Sequence, residues 1–208
     1  MIIGKATLYN CDCMEYMRGL PDKAFDLAIV DPPYGIGADN HAGPEKHGWR
    51  QWPKKEWDKS IPEKLYFSEL FRVSKNQIIW GGNYFVLPPT RCLIVWDKGQ
   101  RDFSLADGEI AWSSFDKNLR IWTYSRAQAN LETKIHPTQK PVKLYEWLLT
   151  NYAKPGQRIL DTHLGSMSSV IACLNMGFEI VGCELDADYF KAGCERVQQS
   201  QAQLRMFA

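Results

Sequence analysis

Asp31-Pro32-Pro33-Tyr34-Gly35 follows directly on a hydrophobic run, Phe25-Asp26-Leu27-Ala28-Ile29-Val30. A turn needs only the prolines and the glycine. This one adds a carboxylate, carbonyls without neighbouring N–H groups and a flat ring. Those groups offer hydrogen-bond acceptors and a stacking surface at the end of a strand. Ligands of open α/β sheets bind at the carboxyl ends of strands. By itself the stretch supports a ligand site.

A second constellation lies near the C-terminus. Asp161-Thr162-His163-Leu164-Gly165-Ser166-Met167-Ser168-Ser169 reads as a strand ending in an acid, followed by a small-residue loop that opens a helix. Glu184 follows Asp161 by 23 positions, just after the next strand. An acid so placed suits the hydroxyls of a cofactor ribose. Gly165 would let a ligand approach the backbone closely. An ordinary βαβ unit fits the pattern equally well, since it is not G-x-G-x-x-G. Ser166, Ser168 and Ser169 could instead cap the helix. There is no Walker-type lysine, so ATP hydrolysis is not expected.

The chain has 208 residues, 45% hydrophobic, and a net charge of +1. That suits one domain, residues 1–208, with a real core. The whole molecule is not a polycation. Within residues 117–143, however, Lys117, Arg120, Arg126, Lys134, Lys140 and Lys143 face only Glu132. Such a patch could attract phosphates, or be a solvated loop region balanced by acids elsewhere. Six scattered cysteines, mostly in apolar contexts, suggest reduced thiols in a cytoplasmic protein. Cys11-x-Cys13 has no second pair at zinc spacing, so no metal is expected. No apolar run is long enough to span a membrane, and Met1-Ile2-Ile3-Gly4-Lys5 has no signal-peptide pattern.

The elements that must position these residues follow from periodicity and breakers. Strands are expected at 6–9, 25–30, 77–80, 92–96, 109–112, 119–122, 158–161 and 179–182. Helices are expected at 12–20, 62–73, 141–152, 166–176 and 188–204. The near-continuous apolar runs at 25–30 and 158–161 suit parallel strands covered on both faces. Strands alternating with helices imply an α/β fold with a mostly parallel central sheet and helices on both faces. Residues 36–60 differ: glycine, histidine, proline and charge, with Trp49, Trp52 and Trp57 interleaved. So long a connection tends to be functional or mobile.

Three stretches taken together resemble the amino-methylating DNA methyltransferases: Asp31-Pro32-Pro33-Tyr34, His136-Pro137-Thr138-Gln139-Lys140-Pro141, and Asp161…Gly165-Ser166…Glu184. Their order, catalytic motif first and cofactor loop last, resembles the β group. Those are circularly permuted versions of the Rossmann-like AdoMet-dependent methyltransferase fold. The likeness runs from about residue 6 to residue 197.

The resemblance implies that Asp31, Pro32, Pro33 and Tyr34 form the catalytic motif. It implies S-adenosylmethionine as cofactor, with Glu184 on the ribose hydroxyls. Asp161, His163, Leu164, Gly165 and Ser166 would flank the methionine part, and His136, Thr138, Gln139 and Lys140 would complete that pocket with Asp31. Asp12 and Cys13 match the family's adenine-contacting segment, although a helix N-cap explains Asp12 equally well. The family loop usually reads Asp-Pro-Phe-x-Gly-Ser-Gly. Here Thr162, His163 and Met167 replace Pro, Phe and Gly. His163 can still lay a ring against the cofactor, whereas Met167 suggests a different loop path. The Asp-Thr-His-Leu-Gly-Ser loop resembles a phage or prophage subfamily.

The implied reaction is methyl transfer to the exocyclic N6 of a flipped adenine in DNA. Asp31 and the Pro32 carbonyl would accept the amino hydrogens, and Tyr34 would stack on the base. The family's cytosine enzymes more often have serine in place of the first aspartate, so Asp31 favours adenine over the N4 of cytosine. A non-catalytic DNA-binding or cofactor-sensing module is the alternative of another class.

DNA contacts are expected from an insertion at about 36–60, through Trp49, Arg50, Lys54 and Lys55, with Trp52 and Lys59 nearby. Arg120, Arg126 and Lys134 are expected near the backbone, from a small target-recognition region at about 97–135. A homodimer is expected by resemblance to β-group relatives.

Overall fold

A computed structural model describes residues 1–38, 52, 55–102 and 105–206, with side chains as far as 203. The expected insertion residues Trp49, Arg50 and Lys54 therefore lie outside the described residues.

All nine strands found there join one sheet. In chain order they are β1 (Ile2–Ile3), β2 (Ala6–Asn10), β3 (Phe25–Val30), β4 (Ser74–Trp80), β5 (Leu93–Asp97), β6 (Gly108–Ser113), β7 (Arg120–Thr123), β8 (Arg158–Asp161) and β9 (Glu179–Glu184). The spatial order is β1-β2-β9-β8-β3-β4-β6-β5-β7. The run β2-β9-β8-β3-β4 is parallel throughout. Antiparallel β6 is wedged between β4 and β5, and β7 adds parallel to β5. The helices are α1 (Cys13–Arg18), α2 (Lys64–Val73), α3 (Arg126–Ala129), α4 (Val142–Tyr152), α5 (Ser168–Met176) and α6 (Ala187–Met206).

Period-two alternation divides the core in two. Leu27, Ile29, Ile78, Trp80, Ile159 and Ile180 share one cluster with Leu144 and Leu148 of α4 and Val170 and Ile171 of α5. Ala28, Val30, Ile79, Leu160 and Val181 face the other way, onto Met17 of α1 and Tyr66, Phe67, Leu70 and Val73 of α2. Both faces of the parallel strands are thus covered, as their unbroken apolar sequences require. Each fully buried aliphatic side chain contributes roughly 1.5–3 kcal/mol.

Turn chemistry fixes the joints. Asp12 caps α1, accepting from the backbone N–H of Met14 and Glu15. Gly177 ends α5 at φ +77°, a conformation that favours glycine. Chain ends β3 and β8 lie side by side, yet the chain leaves β3 toward β4 and leaves β8 toward β9. That reversal is a topological switch point, where a crevice opens at the strands' carboxyl ends.

The sequence expectation missed two short elements, β1 and α3. The two-residue β1 is too short for any period to register. Four-residue α3 is announced by a capping box in which Ser125 and Gln128 satisfy each other's backbone.

Candidate active site

Two adjoining cavities occupy the crevice. One, of about 480 Å³, is lined by Asp12, Cys13, Trp57, His136, Thr138, Gln139, His163, Leu164, Gly165, Ser166, Glu184 and Tyr189. The other, of about 370 Å³, is lined by Pro32, Tyr34, Asp58, Gly81, Asn83, Tyr84, Lys98 and Glu109. Asp31, Pro33, Trp57, Thr138 and Lys140 border both. The carboxylate that ends β3 therefore stands at the junction.

On the larger cavity's side, β9 delivers Glu184. Its carboxylate accepts from the Gly165 N–H at 2.7 Å and the Asp186 N–H at 2.9 Å. Burial raises its pKa above the usual range. Two carboxylate oxygens offer about four acceptor positions, so capacity for ligand hydroxyls remains. Gly165, at φ +47°, lies against the His136 ring. Burial, aided by the Lys140 charge, pulls the His136 pKa down to about 3. The ring is accordingly a neutral wall, packed between Trp57 and Tyr189 at centroid separations of 5.0 and 4.4 Å. His163 is likewise held neutral by burial, at about 4. Gln139 holds its own loop closed, accepting from the Ile135 N–H and donating to the Thr133 carbonyl.

Three expectations change here. Asp161 does not line the cavity: it is buried behind the loop, accepting from the Ser169 hydroxyl and the His163 N–H. Its role is to brace the loop that carries His163 and Gly165. The neighbouring serines do not cap α5, which has no side-chain cap. Met167 takes up φ +58° itself, at the N-terminus of α5. The left-handed turn survives without glycine because the side chain is fully buried and packs against Gly193 of α6, where a Cβ would lie 2.7 Å from it. The strain of such a residue, roughly 1–3 kcal/mol, is offset by that packing.

On the smaller cavity's side the charges form a chain. Asp31 accepts from the Tyr34 hydroxyl at 2.5 Å and from the Lys140 ammonium at 2.5 Å. Lys140 also reaches Glu109 at 3.0 Å, and Glu109 meets Lys98 at 2.7 Å. Burial raises the Asp31 pKa, opposed by Lys140. Burial acts on Glu109 in the same sense, but Lys140 and Lys98 outweigh it and bring its pKa to about 2. Burial disfavours the Lys140 charge, yet Asp31 and Glu109 raise its pKa. Two cations and two anions thus alternate, which limits the cost of burying any of them.

Tyr34 is half-buried, not fully exposed. Tyr84 stacks on it at 5.0 Å and 14°, and the Tyr34 ring lies so close to Gly81 that no Cβ fits there. Asp58, buried, accepts from the backbone N–H groups of Tyr34, Gly35, Ile36 and Ala38 at 2.6–3.3 Å. It pins the loop that follows Asp31-Pro32-Pro33.

Sequence reading missed Asp58, Tyr84, Lys98 and Glu109. Each is an isolated residue brought in by strand register or loop path. The one local hint is Gly108, whose Cβ would lie 2.7 Å from the Trp96 carbonyl, a close approach beside Glu109 that only glycine permits.

The expected DNA-facing residues fall in different places. Lys55 ion-pairs with Asp186 and Asp188, both at 2.8 Å, at the rim of the larger cavity. Arg120 is exposed on β7, the strand at one edge of the sheet. Arg126 and Lys134 are half-buried. Burial, then the nearby Arg126 and Lys98 charges, lower the Lys134 pKa, with Glu132 opposing them.

Residues 97–195 match the DNA methylase family model for N6 and N4 enzymes. A protein of Escherichia coli strain K12 named as a methylase, YubD, is 25% identical, covering 95% of this chain and 92% of its own. Among solved structures, M1.HpyAVI in complex with SAM superposes with a TM-score of 0.62 at 21% identity, covering 92% of this chain and 99% of that one. The cytosine-N4-specific PvuII DNA methyltransferase gives a TM-score of 0.58 at 13% identity, covering 94% and 90%. At these identities the superpositions establish the fold alone. The family match thus spans just under half of the chain, and the relatives add a likeness in sequence and fold along most of its length.

Proposed function

We propose that the protein methylates an exocyclic amino group of a base in DNA, using S-adenosylmethionine, and that the base is adenine. The observation that carries this reading is Asp31 at the junction of the two cavities, with Pro32 lining the smaller. The larger cavity fits the cofactor. Glu184 at the end of β9 suits ribose hydroxyls, Asp12 and Cys13 border the adenine end, and the Gly165 loop permits close approach. When bound, S-adenosylmethionine supplies an electrophilic methyl group on a sulfonium.

An aromatic amine is a weak nucleophile because its lone pair is delocalised into the ring. Asp31 and the Pro32 carbonyl accept its hydrogens and turn the lone pair toward the other cavity. Transfer forms an N–C bond and breaks the C–S bond, whose electron pair stays on sulfur. The surplus amino proton passes to Asp31, which burial makes more basic than an ordinary carboxylate. Orientation of this kind can contribute roughly 7–11 kcal/mol. Tyr34 and Tyr84 offer stacking worth roughly 1–3 kcal/mol per base, comparable with the cost of flipping one out.

Asp31 supports adenine, since the family's cytosine enzymes more often carry serine there. The fold likeness to a cytosine-N4 enzyme keeps N4-cytosine as the second reading. Placement of the catalytic motif before the cofactor loop supports the permuted β group, and the loop sequence a phage-like subfamily. Residues 36–60 and 97–135 would meet DNA, and a second subunit would extend recognition. Methylation-sensitive sequencing of DNA from cells expressing the protein tests the function. Methylated adenines in a recurrent sequence are expected. Methylated cytosines would replace the adenine reading, and unmodified DNA would overturn the proposal.

A further inference from the structure

Lys140 is held by two carboxylates, yet only Asp31 belongs to the catalytic motif. The other, Glu109, comes from the start of β6, a strand that no motif touches. Its register opposite Trp96 of β5 aims it at the crevice. Its side chain is 24% exposed, that of Lys140 only 2%. Alone with Asp31, so buried an ammonium would concentrate its charge on that carboxylate, leaving it less able to accept hydrogens from a base. Sharing the ammonium with Glu109 fixes Lys140 from the far side and relieves that demand. Lys98 in turn balances Glu109.

Resting on the methyl-transfer reading, we propose that Glu109 is a positioning residue for the reaction. Through Lys140 it sets the orientation and basicity of Asp31. The other titratable groups that face this cluster are the Tyr34 hydroxyl beside Asp31, Lys98 against Glu109, Tyr66 on α2, Asp161 at the end of β8 and Tyr145 on α4. The three tyrosines stay protonated at ordinary pH, since burial raises the pKa of each. Glu109 is the group whose removal leaves the Lys140 charge unshared.

The test uses the purified full chain, with S-adenosylmethionine and DNA that the wild type methylates. Glu109→Gln should lower kcat roughly 100-fold, the cost of a small misplacement of reacting groups. Cofactor affinity and KM should stay near the wild-type values. The acid limb of the kcat profile should move to lower pH, because the unshared ammonium lowers the Asp31 pKa. Glu109→Asp should recover most of kcat and restore the limb. If Glu109→Gln folds poorly, the charge-neutral double variant Glu109→Gln, Lys98→Met should show the same kcat loss and limb shift. An unchanged kcat and limb in a methylating protein would overturn the role of Glu109 and leave the methyl-transfer reading standing. So would a loss confined to KM. A wild type that transfers no methyl group to any DNA would overturn both.

Discussion

Asp31 anchors Lys140 and, in the proposed reaction, presents its carboxylate to a base. Asp31→Ala should reduce methyl transfer by about 10³-fold or more, since one preorganised polar group is commonly worth 10²–10³. The fold should survive, because Lys140 keeps Glu109; a thermal melt beside the activity assay checks both. A second residue-scale prediction concerns Asp161, whose pKa burial raises from the ordinary 3.8 to about 7. Between those values the folded protein binds the proton more tightly than the unfolded chain. Stability therefore falls as pH rises through that window. Asn at 161 can keep partners for Ser169 and His163 and does not titrate. The melting temperature of Asp161→Asn minus that of wild type should accordingly grow more positive from pH 5 to pH 8. His136 and His163 slope the other way but occur in both proteins, so they cancel in the difference. A difference independent of pH would contradict the assignment. At this scale most of the residues that line the two cavities were legible because they cluster in short stretches such as 31–34, 136–140 and 163–166. Glu109, Lys98 and Tyr84 were not, because only sheet register and loop path bring them to Asp31.

Elements explain why the motifs meet. The bounds of β3 and β8 were readable residue for residue, since strands covered on both faces are unbroken apolar runs. The loop after β3 was not. Its stretch of glycine, proline and charge suggested a surface insertion, and the decisive member is a buried acid. Asp58 gathers four backbone N–H groups of residues 34–38. Asp58→Asn turns one acceptor oxygen into a donor facing those groups, at a cost of roughly 1–3 kcal/mol. Hydrogen-exchange protection at Tyr34, Gly35, Ile36 and Ala38 should fall, with lower kcat. Unaltered protection at those amides would remove Asp58 from the account. Met167 shows the limit of reading residue types: a methionine stands where the loop it resembles has glycine, yet it adopts the left-handed turn, packed against Gly193 of α6.

For the molecule as a whole, a net charge of +1 says little, and the placement of charge says more. Arg120 is exposed at the sheet edge, while Lys55 is engaged by two acids beside the larger cavity. DNA affinity should fall steeply with salt, and Arg120→Ala should flatten the log–log slope by roughly 0.9 if it neutralises one phosphate. Lys55→Ala should leave that slope alone. Titrations of labelled DNA at several salt concentrations check both. No helix among the described residues is long and apolar enough to cross a membrane. The fold class was legible from alternating strands and helices. The strand order was not, since antiparallel β6 inserts between β4 and β5 without a sequence signature of its own. The role proposed for Asp31 is to present an adenine amino group to a bound methyl donor. Its most direct test is mass spectrometry of nucleosides from DNA incubated with S-adenosylmethionine and either wild type or Asp31→Ala. N6-methyldeoxyadenosine is expected from the wild type and none above background from the variant. Equal yields from the two proteins, or no methylated nucleoside from either, would contradict it.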